Sequence, residues 1–267
     1  MKGDKYVPGA LVLAYSIKQF TKYDVACMIT SDVSDKGREQ LKSIFDHIFV
    51  IDYLKPKSNL TKSYLEKSKN RWKRFAEFYQ WLDIALTKFN LFKFTQYKKV
   101  LFLDADQLVR KNTDFVFDYQ TPAGLLSINT SVGDDQLIPE DDVIKSLKQY
   151  GMRGNIILLK PSMEAYSNIQ KFVNNEKVIN YIMKKDFNAG PDEALITLFF
   201  RKNWHKLPDT IANQKYDINQ KYYIHHYMVQ KPWTGADMKY EDVKIWWQVA
   251  KELMNKYPKL KPIFTLS

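Results

Sequence analysis

The sequence predicts an α/β fold, on three observations. Segments with helical apolar spacing alternate with short apolar runs of strand length. Hydrophobic residues make up 45% of 267 residues, against only 9 Gly and 10 Pro, which is enough apolar material for a packed core and too few breakers for a disordered chain. The breaker pairs Pro8-Gly9 and Gly190-Pro191 sit at the edges of apolar segments, where a layered fold needs its turns.

Taken in order, Pro8-Gly9 is a loop or helix-start signal, and Ala10–Phe20 reads as a helix on Leu11, Val12, Leu13, Ile17 and Phe20. Tyr23–Thr30 is short and mostly apolar, so it reads as a buried strand. Ser34–Ile44 is a polar-faced helix and Asp46–Ile51 a second strand. Ser63–Phe94 is a long helical stretch with an interruption near Phe89-Asn90. Its aromatics, Trp72, Phe75, Phe78, Tyr79 and Trp81, follow helical spacing and read as core. Val100–Asp106 is a strand that ends on two acids. Gly124–Asn129 and Ile156–Leu159 are further strands, and Ser131–Asp142, acidic and broken by Gly and Pro, is a surface loop. Pro161–Asn174 and Asp192–Phe200 are helices, Tyr222–Tyr227 is a short aromatic strand, and Tyr240–Tyr257 is a closing amphipathic helix around Trp246 and Trp247. There is no repeat, no low-complexity linker and no boundary in composition, so residues 1–267 read as a single domain.

Charge and cysteine content narrow the function classes. The single cysteine, Cys27, has no partner within the chain and fits a reducing compartment. Met1 is followed by Lys-Gly-Asp-Lys, with no apolar stretch of signal-peptide or membrane-span length, which predicts a cytoplasmic protein with no membrane partner. The formal charge of +11 fits a solvated lysine-rich surface or an anionic partner. The basic cluster at Lys62–Arg74 is equally a helix face, and no nucleic-acid motif accompanies it, so no nucleic-acid partner is expected.

Asp104-Ala105-Asp106 carries the first chemical signal. Two carboxylates two residues apart on an extended segment point to one side and can share a divalent cation. They can equally cap the next turn. The apolar run Val100-Leu101-Phe102-Leu103 before them favours a strand that delivers acids to a sheet rim, where α/β proteins bind ligands. His225 offers an imidazole suited to Mn²⁺, while His226 points to the other face of an extended segment. Lys231, held by Pro232-Trp233, can neutralise a diphosphate as a point charge. Asp192 and Glu193 open a helix after Gly190-Pro191. Capping explains Asp192, and so does a carboxylate that holds sugar hydroxyls.

In combination these blocks resemble the glycogenin-like retaining glycosyltransferases, glycosyltransferase family eight. The resemblance lies in Tyr6-Val7-Pro8-Gly9-Ala10, in Leu86-Thr87-Lys88 followed by Thr95 through Asp106, and in Ile156 through Ser162. It continues in Asp192-Glu193-Ala194-Leu195 and in His225 followed by Lys231-Pro232-Trp233, so it covers about residues 6 to 235. It implies a single GT-A-type, Rossmann-like domain with a mixed central sheet flanked by helices. It also implies transfer of a hexose, glucose or galactose, from a UDP-sugar to a hydroxyl on a glycan or protein acceptor. The cofactor would be Mn²⁺, with Mg²⁺ as the alternative, on Asp104, Asp106 and His225. Ala105 backbone would meet the ribose and Tyr6 the uracil. Lys88 and Lys231 would hold the donor, and Asp192 would lie at the reacting carbon with Glu193 where the family usually has Gln. A homodimer is compatible with this class. Three departures stand out: only five residues precede Tyr6, where the family has its first strand; Arg153-Gly154-Asn155 replaces Asn-Ser/Ala-Gly; and Met228 replaces a glycine. They motivate an alternative, a nucleotide-sugar-binding protein or inactive remnant. Tyr216, Tyr222 and Tyr223 are read as packing residues rather than as glycosylated acceptors.

Overall fold

The computed structural model describes residues 3–72, 84–185, 187–213, 221–228 and 231–264. The strands are β1 (Ala26–Ile29), β2 (His47–Val50), β3 (Val100–Leu103), β4 (Gln107–Val109), β5 (Ala123–Leu126), β6 (Met152–Leu159), β7 (His205–Lys206), β8 (Ala212–Asn213) and β9 (Ile224–His226). Contacts divide the chain into two compact units: 1–52 with 104–115 and 209–267, and 53–103 with 116–208.

In the first unit β1 and β2 form a parallel pair, and β4, β9 and β8 form a mixed sheet with β9 in the middle. Helix α1 (Val7–Ile17) is apolar on nearly all sides, and Leu11, Val12 and Ala14 are fully buried. It starts three residues before the expected Ala10. Pro8 lies in the first turn, where a missing N–H costs nothing. Helix α2 (Asp35–Lys42) begins as the sequence indicates, with the Ser34 hydroxyl accepting from Gly37 N at 3.0 Å. The core of the unit joins α1 to Leu108 of β4, to Tyr227, and to Trp246 and Leu253 of the helix Glu241–Lys256.

In the second unit the order is β3-β6-β5-β7, antiparallel except for the parallel β5–β7 pair. Strand β6 lies between two neighbours and is buried along almost its whole length, which explains why Ile156–Leu159 carries no polar alternation. It also runs four residues further back than expected and takes Arg153-Gly154-Asn155 into the sheet. Helix Met163–Phe172 is capped by Ser162, and helix Pro191–Phe199 packs on β6. The α/β class with a mixed sheet flanked by helices is therefore what the chain forms.

Several expectations are corrected. Helix α3 covers Asn59–Trp72, and Phe89-Asn90 is not a break in a long helix but the middle of a 3₁₀ run, Ala85–Lys93. Phe75, Phe78, Tyr79, Trp81 and Tyr216, together with the Trp72 side chain, lie outside the described residues. The end of the Ser131–Asp142 loop is already helical (Glu140–Ser146), and Glu176–Lys185 is a helix the sequence reading omitted. Among the described residues no helix is long and apolar enough to cross a membrane.

Candidate functional site

Asp104-Ala105-Asp106 is not the end of an extended strand. Strand β3 stops at Leu103, the three residues turn, and β4 begins at Gln107. β3 hydrogen-bonds to β6 and β4 to β9, so the chain changes sheets between them and cannot remain extended. The turn brings the two acids together by bending the backbone rather than by strand alternation.

Strand β9 supplies the third member. In the β4–β9 ladder Leu108 lies opposite His225 and Gln107 opposite His226, so the two histidines take opposite faces. His225 shares the core face with Leu108. Its Nε2 lies 3.1 Å from Asp242 Oδ2 in the first turn of the last long helix, with both side chains buried. Tyr227 donates its hydroxyl to the Asp242 carbonyl at 2.8 Å. Burial pushes the His225 pKa down, against the opposing charge of Asp242. His226 takes the other face, with Nε2 3.2 Å from Asp106 Oδ1. Among the described residues, the group able to hold a metal is Asp104, Asp106 and His226, whose ligand atoms all lie within 4.8 Å of one another. The expected third ligand, His225, is thus displaced by its neighbour, because Asp242 holds His225 in the core.

The donor set fits a hard divalent cation that accepts oxygen and imidazole nitrogen. Asp106 Oδ1 is buried and, among the described residues, accepts no hydrogen bond, although it lies beside His226. A buried anionic oxygen in that state has the chemistry to coordinate a cation. The other oxygen, Oδ2, accepts from Lys231 Nζ at 2.7 Å. Burial raises the Asp106 pKa, but the charges of His226 and Lys231 and the Lys231 hydrogen bond prevail and hold it well below the usual carboxylate range. Lys231 also donates to the carbonyls of Tyr227 and Met228, so its three donors are engaged.

Trp233 and Gly9 explain why the turn is held close to α1. Trp233 Nε1 donates to Lys5 O at 2.9 Å, and its ring meets Tyr6 edge-on with centroids 5.5 Å apart. A Cβ on Gly9 would fall 2.4 Å from the Trp233 ring and 2.6 Å from Ala105 O, so only glycine lets that backbone approach. Tyr6, Ala105, Asp104, Asp106 and Lys231 all belong to the first unit.

The second unit holds a separate cluster. Lys88 Nζ lies 2.6 Å from Asp192 Oδ2 and donates to Gly154 O at 3.0 Å. Glu193 is the third residue of its helix. Its Oε2 accepts from Gly190 N at 3.1 Å, and its Oε1 accepts from Gly154 N at 3.2 Å. A Cβ on Gly154 would meet Asp192 Oδ2 and Lys88 Nζ at 3.0 Å, so the glycine is needed for the cluster to close. Burial, and then the neighbouring Asp192 charge, push the Glu193 pKa up to about 7, against the Gly154 hydrogen bond, the Lys88 charge and the Gly190 hydrogen bond. A raised acid stabilises the fold below its unfolded pKa and loses that contribution as pH rises through the folded value. Stability should therefore fall between about pH 4.5 and pH 8, by on the order of 3 kcal/mol. Urea unfolding at pH 5 and pH 8 measures this, and Glu193→Gln should remove most of the difference. An unchanged difference in that variant would assign the effect elsewhere.

Arg153 is half-buried in β6. Tyr223 packs on Phe115 with centroids 5.2 Å apart, and Lys111 Nζ lies 5.3 Å from its ring centre, as a packing residue would. Sequence reasoning missed His226 as the histidine beside Asp106, Asp242 as its neighbour's anchor, and the close-approach role of Gly9 and Gly154. Strand alternation through His225-His226 signals only that the two diverge.

No family model matches the chain. The fold is that of the GT-A glycosyltransferases: the galactosyltransferase LgtC, solved with donor and acceptor sugar analogues, superposes with a TM-score of 0.61 at 14% identity, over 98% of this chain and 100% of LgtC. The uncharacterised protein R707 of Acanthamoeba polyphaga mimivirus is 30% identical over 241 residues, 86% of this chain and 78% of that protein. Glycogenin-1 of Caenorhabditis elegans is 24% identical over 252 residues, covering 87% of this chain and 49% of that protein. The chain belongs to one family with R707 and is glycogenin-like in sequence. It spans about half the length of that glycogenin.

Proposed function

We propose that the chain is a retaining hexosyltransferase that moves glucose or galactose from a UDP-sugar to a hydroxyl on a glycan or protein, with Mn²⁺ as the preferred cation. The observation that supports this most is the buried, undonated Oδ1 of Asp106 beside Asp104 and His226. Asp104, Asp106 and His226 hold the cation. When bound, the cation serves as a Lewis acid toward the departing diphosphate. Lys231 adds a fixed positive charge on the same side, exchanging Asp106 Oδ2 for a phosphoryl oxygen. Tyr6 and the Ala105 backbone receive the nucleoside. In the second unit, Asp192 binds the donor sugar at the reacting carbon, and Lys88 orients its carboxylate from 2.6 Å. Glu193 keeps Gly154 and Gly190 in place through its two backbone hydrogen bonds. Retention follows from front-side attack or from a double displacement on Asp192.

A thermal-shift panel of UDP, UDP-glucose and UDP-galactose, each with and without Mn²⁺, tests the reading. UDP and Mn²⁺ together should stabilise more than either alone, by about 2.7 kcal/mol at a hundredfold excess over Kd. Slow Mn²⁺-dependent release of hexose should accompany it. Synergy without release for any donor would favour the binding-protein alternative, and absence of synergy would remove the donor assignment.

A further inference from the structure

Gln107 immediately follows the metal-binding turn and is 0% exposed. Among the described residues, neither its carboxamide oxygen nor its nitrogen has a hydrogen-bond partner. A buried amide with all its donors and its acceptor idle opposes folding, since each group gave up water for nothing. An apolar residue of the same length would fill the position with no such loss. The location of the amide is specific. Gln107 is the ladder partner of His226, so its side chain rises from the same face as the imidazole, at the separation where directly opposed side chains touch. On its other flank along the chain is Asp106, whose Oδ1 is also buried without a donor. Two adjacent side chains with unsatisfied buried polar atoms, both beside one histidine, describe a site whose hydrogen bonds are completed by something bound.

We propose that Gln107 is a positioning residue of the cation site, its carboxamide oxygen becoming satisfied when a divalent cation is bound, by accepting hydrogen bonds from the His226 imidazole and from water held by the cation. The proposal rests on the reading of Asp104, Asp106 and His226 as cation ligands. Histidine ligands characteristically use their second ring nitrogen to hydrogen-bond an outer partner that fixes the ring. Metal-held water is a strong donor, for which an amide oxygen is a suitable acceptor. The protein would thus carry a folding penalty in the free state that cation binding relieves.

The test is calorimetric titration of Mn²⁺ alone, without nucleotide, into the full chain, paired with thermal melting in chelator. Gln107→Met keeps the volume and removes the amide. It should melt higher than the wild type in chelator and bind Mn²⁺ about tenfold more weakly, the lower end of the effect of losing an outer partner. Gln107→Asn, with the same amide one carbon shorter, carries the test should Met not be accommodated, and should also bind Mn²⁺ more weakly. Unchanged Mn²⁺ affinity in either folded variant overturns the role of Gln107. His226→Ala, run alongside, separates the two readings: if it also binds Mn²⁺ as the wild type does, the cation assignment itself fails, whereas a loss in His226→Ala beside an unchanged Gln107 variant removes only the present proposal.

Discussion

Asp106→Ala should abolish Mn²⁺ binding and lower Mn²⁺-dependent turnover of UDP-hexose by about 10³-fold, the several kcal/mol that a Lewis-acid cation contributes to a departing diphosphate. The residue serves two partners at once. Oδ1 lies 3.2 Å from His226 Nε2, on the side proposed for the cation, and Oδ2 anchors Lys231 at 2.7 Å. Asp106→Asn does not rescue, because an amide offers one acceptor where the site needs two. If the amide oxygen faces Lys231, its NH₂ group faces the cation. Adding chelator to the wild type should reproduce the loss, and Asp106→Ala should then be insensitive to chelator. The variant also changes the acid limb of stability. A depressed carboxylate contributes stability above its unfolded pKa and loses it as pH falls through the folded value. The wild type should therefore lose part of its stability in strong acid, and Asp106→Ala should lack that component. Calorimetry with Mn²⁺ and acid unfolding measure the two consequences independently, and retained Mn²⁺ affinity in the variant would end the metal assignment.

Lys88→Ala should destabilise the protein by about 3–5 kcal/mol, as removal of one partner from a buried ion pair does. Lys88 and Asp192 side chains are only 16% and 12% exposed, so solvent does little to replace the lost cation. Asp192 would remain beside Glu193 with no counter-charge. Lys88 is one of the groups that hold the Glu193 pKa down, so its removal lets that value rise above about 7. The sign follows from linkage: a higher folded pKa enlarges the stability lost as pH rises. The deficit of Lys88→Ala should accordingly be larger at pH 8 than at pH 5, in urea unfolding at both values. Lys88→Arg should recover part of the stability but crowd Gly154, where even an added Cβ would come within 3.0 Å of the lysine ammonium. A loss below about 1 kcal/mol at both pH values would show that the pair does not form in solution, since that is the range of an exposed salt bridge.

Much of this architecture was legible in local chemistry. Ser34 and Ser162 mark helix starts because a hydroxyl accepts from the N–H three residues on, and both do so. Gly190-Pro191-Asp192-Glu193 marks another because proline needs no amide donor there and acids suit a helix N-terminus. The apolar run Ile156–Leu159 signalled a strand buried on both faces. What local chemistry obscured was continuity. Val100–Asp106 reads as one strand but ends at Leu103, and the chain enters a second sheet at Gln107, because pairing with β6 and with β9 is decided by segments far away in sequence. Phe89-Asn90 resembles a helix break, yet Asn90 bonds the carbonyl of Thr87 inside a 3₁₀ run.

Residue type and short spacing were enough for the α/β class, the paired acids Asp104 and Asp106, the lysine before Pro232-Trp233 and the acidic helix start. The tertiary structure alone decided which histidine faces the acids. His225 and His226 are chemically identical, and alternation says only that they diverge. Asp242, seventeen residues after His225, settles it by holding His225 at 3.1 Å within the core. That choice turns His226 toward Asp106, since a strand has two faces and a long-range contact fixes which of them is buried.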